Sequence, residues 1–295
     1  MKKFKDGDVF HNTIKTYPKV NLFLNNGGMH YNRKSNENTS IPTGSVGLFE
    51  NIRSSVHEVE VFSLFSDSSL TLHLDFSNNA SLTYGVPPLV GDIANLAPDT
   101  TPVDDFVGNP VNAFTAITGS GLQVGRFNGT SNALASDGWI LSDIISMSEW
   151  RIFITLKLSA YPLTGTLPIN DMIFSDNNAR WGVGVTPEGN LYGHNHDGGH
   201  DYTAATGLPV SLSTFHLIEY RRSSGVIGVA CDEVEQTVSS GDLSAASTFR
   251  IGRNTADSRF LNGDIGEIVV YNAEPSAANA QQTRAYLKNK WGIII

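Results

Sequence analysis

The sequence predicts an all-β protein: an antiparallel sandwich or barrel with a C-terminal helix, preceded by a small β-rich module. Three observations predict it. Short apolar runs recur with turn residues between them; only 17% of residues are charged, against ~25% in an average domain; and helical periodicity is found once, at the end of the chain. A chain of 295 residues holds one sandwich of about 200 residues and a smaller module, so the expected division is 1–68 and 69–295.

In chain order, "KVNLFLNNGGMHYN" (19–32) alternates apolar and polar residues around Asn25-Asn26-Gly27-Gly28, which supplies the positive φ angles of a tight hairpin. "GSVGLFEN" and "HEVEVFSLF" read as further short strands, and Pro18 and Pro42 exclude helix. From residue 70 come "LTLHLDF" (70–76), "LQVGRFN" (122–128), "WRIFITLKL" (150–158), "RWGVGVT" (180–186), "TFHLIEYRR" (214–222), "GVIGVACD" (225–232) and "DIGEIVVY" (264–271). The span 77–121 is rich in Pro, Asp and Asn and weakly periodic, so it reads as surface loop. "EPSAANAQQTRAYLKNKWG" is the helix. Pro275 stands in its first turn or Ser276 caps it, Ala280, Leu287 and Trp291 share a face, and Gly292 stops it after Lys288 and Lys290.

Charge narrows the function. Residues 1–35 carry seven Lys or Arg against two Asp, whereas the remaining 260 carry thirteen basic and twenty-seven acidic groups. A basic arm thus leads an acidic body, which suits a protein contact for the arm and disfavours nucleic acid as a ligand of the body. Cys231 is the single cysteine, which excludes an intrachain disulfide and a cysteine-based zinc set and fits folding in a reducing cytoplasm. The lysines at the start have no apolar run behind them, and no stretch approaches the ~18 apolar residues of a membrane helix.

The ending "FRIGRN…FLNGDIGEIVVYNAEPSAANAQQTRAYLKNKWGI", with "GRFNGTSNAL" and "RWGVGVTPEGNLY", resembles the laminin G-like, concanavalin A-like jelly-roll domains common in phage and marine bacterial proteins, over residues 70–295. The front, "FKDGDVFHNTIKTYPKV", "GGMHYN" and "IPTGSVGLFENI", is similar to the leading segment of virion proteins of tailed phages. There the usual "LYE-x-N-V-D-R" ending is replaced by Leu48, Phe49, Glu50, Asn51, Ile52 and Arg53. Together these resemblances imply a virion structural protein of capsid decoration, neck or tail fibre. Residues 1–68 would attach it to other virion proteins as a homo-oligomer assembled in the host cytoplasm, and the lectin-like domain would meet polysaccharide. No cofactor, membrane insertion or nucleic-acid partner is expected. A glycoside hydrolase on the same jelly-roll and a purely shell-stabilising decoration protein are the alternatives.

A retaining glycosidase needs two carboxyl groups about 5 Å apart, one of them kept protonated. The family's E-x-D-x-x-E triplet is not found in "HEVEV" (Glu58, Glu60), "CDEVEQ" (Asp232, Glu233, Glu235) or "GDIGE" (Asp264, Glu267), and Glu267 matches a family position that is structural at a strand edge, so no catalytic residue is assigned. The distinctive stretch is "NLYGHNHDGGHDYT" (190–203). His194 and His196 share a strand face, Gly198 and Gly199 turn the chain, and Asp197, His200 and Asp201 follow. Zinc is conceivable there. The preferred assignment is a polar rim loop without metal whose Tyr192, His194, His196, Asp197, His200, Asp201 and Tyr202 are the carbohydrate-contact candidates. Trp181 is read as core, with sugar stacking as its alternative, and Trp139 and Trp150 as core.

Overall fold

The computed structural model describes residues 67–84, 90–97, 106–107, 115–119, 121–136, 143–146, 148–162, 173–176, 181–196, 201–242, 248–253 and 260–294. The chain divides into two units, Met1–Ser63 and Leu64–Ile295. The hairpin at 19–32, the strands proposed before residue 67, Glu58, Glu60 and Trp139 lie outside the described residues.

The second unit is a sandwich of two antiparallel sheets with, among the described residues, one α-helix. Sheet A is built from β1 (Leu70–Asp75), β5 (Thr115–Gly119), β6 (Leu122–Asn128), β8 (Trp150–Leu158), β13 (His216–Ser223), β14 (Val226–Cys231), β15 (Val234–Ser239) and β17 (Asn262–Tyr271). Its order is β15-β14-β13-β8-β17-β6-β5, with β1 also on β17. Sheet B contains β2 (Leu82–Tyr84), β3 (Val90–Ile93), β4 (Phe106–Val107), β7 (Leu134–Ser136), β9 (Phe174–Asp176), β10 (Trp181–Val185), β11 (Asn190–His196), β12 (Asp201–Pro209) and β16 (Phe249–Ile251). Its order is β12-β11-β10-β9-β16-β7-β4-β3-β2. The all-β sandwich expected from the sequence is therefore present. The reading of 77–121 as surface loop is corrected: β2 to β5 fall inside it. Each has only two to five residues, too few to set up a visible period of two.

Between the sheets, alternate residues meet. Ile152, Ile154, Leu156, Ile218, Tyr220, Ile268 and Val270 of sheet A pack against Phe174, Trp181, Val183, Val185, Leu191 and Phe249 of sheet B. Trp181 and Trp150 are both fully buried, as expected, with ring centroids 5.4 Å apart and nearly perpendicular planes.

The outer face of sheet A is covered by α1 (Ala277–Trp291). Ser276 is the N-cap, so Pro275 precedes the helix rather than standing in its first turn: the Ser276 Oγ accepts a hydrogen bond from the Asn279 amide at 3.1 Å. Gly292 ends the helix at φ +66°, the left-handed geometry a glycine adopts without strain. Ala280, Thr283, Leu287 and Trp291 line the buried stripe and pack with Phe153, Leu217, Val269 and Tyr271. The helix seats on a bulge in β17, where the register against β8 shifts between Ile265 and Glu267. The residue there is Gly266, whose missing Cβ would stand 2.6 Å from both Trp291 and Thr155, so the indole ring lies directly over the backbone.

Candidate functional site

The histidine stretch forms the hairpin β11–β12, with His196 opposite Asp201 and Asn195 opposite Tyr202. Alternation sends Leu191, Gly193 and Asn195 to the face shared with Trp181, Val183 and Val185, and Tyr192, His194 and His196 to the other. His194 and His196 do share a face. However, Tyr192 and His194 have no accessible surface, so both are corrected from ligand contacts to packing residues. Their cross-strand neighbours are Gly184 and Gly182, which leave room on that face for two large side chains. His196 is half-exposed, while Asp201 and Tyr202 are placed on the β12 backbone. Asp197 and His200 lie outside the described residues. The hairpin is tied down where Asn195 donates to Ser240 Oγ at 2.7 Å and to the Gly241 carbonyl at 2.8 Å, and where Tyr220 Oη donates to the His194 carbonyl.

The carboxylates singled out in the second unit are all engaged. Asp264 takes two bonds from Arg126, at 2.6 and 2.8 Å, and one from Lys157 at 2.8 Å. Glu233 pairs with Lys288 at 2.8 Å, Glu235 with Arg221 at 2.6 Å, and Asp232 with His216 at 2.6 Å. Glu267 does not sit at a strand edge, which corrects that expectation: it is fully buried in the middle of sheet A, beneath α1. It meets His73 Nε2 at 2.6 Å, Lys290 Nζ at 2.7 Å and Trp291 Nε1 at 3.1 Å, and Lys290 also reaches Asp75 at 2.8 Å.

Burial alone would raise the Glu267 carboxyl, but the His73 hydrogen bond and the charges of His73 and Lys290 outweigh it and hold the group at about 2. Asp264 is likewise opposed by burial and lowered by Arg126 and Lys157. Asp67, opposed by burial and lowered by Ser69, and Glu188, lowered by its bond with Thr186, shift the same way. Among the described residues, then, each carboxyl with a resolved displacement is displaced downward, the opposite of what a general acid needs. His73, Asp75 and Glu267 have their ligand atoms close enough to hold a cation, but the Lys290 ammonium already bonds both carboxylates.

A further cluster, missed in the sequence, lies at the opposite end of β15 from the histidine hairpin. His216 opens β13; Cys231 ends β14, and Asp232 follows it in the turn to β15. His216 Nδ1 is 2.6 Å from Asp232 Oδ2 and 3.7 Å from Cys231 Sγ, while Nε2 is 2.8 Å from Ser211 Oγ. The thiol is pushed up to about 12 by burial, with the Asp232 charge adding to it. A lone His fifteen residues before Cys-Asp gives no motif. It becomes a site only because the β13–β14 hairpin pairs Ile218 with Cys231.

No family model matches the chain, and no curated protein matches it in sequence. Solved structures are similar to it in fold. Trypanosoma rangeli sialidase in complex with 2,3-difluorosialic acid superposes with TM-score 0.52 at 12% identity, covering 83% of this chain and 40% of the sialidase. Domain 4 of AbnA, an extracellular arabinanase from Geobacillus stearothermophilus, in complex with arabinotriose, gives TM-score 0.49 at 16% identity, covering 73% of this chain and 97% of that domain. Domains LG4-5 of the mouse laminin alpha1 chain give 0.39 at 13% identity, covering 61% and 48%. The chain thus spans about two fifths of the sialidase's length, and what the likeness to it shows is a shared β-sandwich fold.

Proposed function

We propose that the chain is a structural component of a tailed-phage particle, fastened to other virion proteins through residues 1–68, with the sandwich turned towards host or environmental polysaccharide. Two things support this reading: the resemblance of the leading segment to virion proteins, and a sandwich fold that a sialidase also carries. The observation that carries adhesion over hydrolysis is the state of the carboxylates. Asp232, Glu233, Glu235, Asp264 and Glu267 each have a cationic or histidine partner, and Asp264 and Glu267 are held below the ordinary carboxylate range, the opposite of what the proton donor of glycosidic cleavage requires. The contact surface assigned to the glycan is the β11–β12 rim, with His196, Asp197, His200, Asp201 and Tyr202. Several copies on a symmetric particle would turn weak contacts into firm adhesion.

The purified sandwich, presented in multivalent form on a glycan array, is expected to retain at least one class of acidic or neutral polysaccharide and to release no reducing ends from it. Deleting residues 1–35 is expected to abolish incorporation into particles and to leave the sandwich folded. Release of reducing ends would replace adhesion by hydrolysis. An array without hits, together with particles that fall apart when the protein is missing, would leave a shell-stabilising role in its place. Particles that still carry the truncated chain would refute the attachment role of the arm.

A further inference from the structure

We propose that His216, Cys231 and Asp232 form a binding site for a divalent transition metal of the zinc type at the rim of the sandwich. The three ligand atoms lie within 4.8 Å of one another. Zinc bonds of ~2.3 Å to sulfur and ~2.0 Å to nitrogen at a tetrahedral angle separate S and N by about 3.6 Å; His216 Nδ1 and Cys231 Sγ stand 3.7 Å apart. A second distance, 2.6 Å from Nδ1 to Asp232 Oδ2, has to open by about 0.7 Å to admit the ion. Asp232 is the most exposed of the three, its side chain 26% accessible, so it is the ligand able to move and the side from which an ion and a fourth, water ligand enter.

Outer contacts aim the set. The Leu217 amide donates to Asp232 Oδ1 at 2.9 Å and leaves Oδ2 for the site. His216 Nε2 faces Ser211 Oγ at 2.8 Å and the Ser211 carbonyl at 3.3 Å, so it can donate outward while Nδ1 turns in, the usual arrangement behind a metal-bound imidazole. Nδ1 thus faces a carboxylate and a sulfur, both of them metal-ligand atoms, while Nε2 faces the two oxygens of Ser211. In the His73–Asp75–Glu267 cluster a lysine already bonds both carboxylates; among the described residues no lysine or arginine pairs with Asp232. The mixed N, S, O set favours zinc or its analogues over calcium or magnesium, which take oxygen.

The test uses the full chain, stripped with chelator and titrated with cobalt(II), whose tetrahedral thiolate complexes absorb in the visible and carry a sulfur-to-metal charge-transfer band. The chain has a single cysteine, so that band reports Cys231 alone, whatever the other histidines bind. Both bands are expected to saturate at one equivalent and to be displaced by zinc. The charge-transfer band should vanish in Cys231→Ala, and Asp232→Asn and His216→Ala should each weaken uptake at least tenfold, with circular dichroism checking the fold. Because the wild-type band suffices, a variant that fails to fold leaves the proposal falsifiable. Cobalt bound without a thiolate band, or no stoichiometric uptake, would overturn it. Covalent labelling of Ser211 by a fluorophosphonate in cobalt-free protein, with no cobalt uptake, would overturn it in favour of a Ser211–His216–Asp232 proton relay.

Discussion

Replacing Lys290 with Met destabilises the sandwich by about 3–5 kcal/mol at neutral pH, because it strips the shared cation from two buried carboxylates, leaving Asp75 without an ionic partner and Glu267 with His73 and Trp291 alone. The Met stem keeps the packing, so the loss isolates charge from volume. Acid denaturation of the wild type supplies the companion measurement. Glu267 is held at about 2 against an ordinary 4.5. Since its folded-state value lies below the unfolded one, the stabilisation is complete above about pH 4.5 and is lost as pH falls towards 2, to a total of about 3 kcal/mol. Urea unfolding at pH 7, 4 and 3 should show midpoints dropping over that window in the wild type, and from a lower starting point in Lys290→Met. Equal midpoints for the two proteins at pH 7 would show that the buried pair is indifferent to its cation.

Trp181→Ala is the second large effect, a loss of about 3–5 kcal/mol and a drop in melting temperature on the order of 10 °C. The indole is fully buried, 5.0 Å from the Phe174 ring, 5.5 Å from Tyr220 and 5.7 Å from Phe249, besides its edge contact with Trp150. The rings come from both sheets, so the cavity would open in the seam between them, where backbone ladders on either side restrain collapse. Calorimetry on the variant measures the drop. A melting temperature within two or three degrees of wild type would mean that neighbouring rings refill the space.

How far the sequence speaks depends on length and period. Strands β6 and β8 occupy 122–128 and 150–158, the very spans read from their apolar runs, and Ser276 and Gly292 bound the helix, because long elements carry many residues of consistent pattern. Strands β2, β4, β7, β9 and β16 have only two or three residues, and their pairing partners rather than their own composition make them strands. The histidine stretch misled for a related reason. Leu191-Tyr192-Gly193-His194-Asn195 is buried on both faces, whereas the sequence shows a polar string, and nothing local reveals that Gly182 and Gly184 lie opposite its two large side chains. His216 gives no signal in the sequence because its partners, Cys231 and Asp232, arrive only through the register of a hairpin.

The position of β17 bears on the order in which the protein is made. One side of this strand pairs with β8; the other is shared by β6, at Asn262–Ile265, and β1, at Glu267–Tyr271. Leu70 therefore waits for Tyr271, some 200 residues later in synthesis, before it has its strand partner, and α1 comes later still. Until then the nascent chain shows β8 with an unpaired edge and the apolar row Phe153, Leu217 and Val124 without its cover. Such a topology makes folding slow and nearly all-or-none, completed after the last strand emerges, and places the burden of avoiding aggregation on the interval just before.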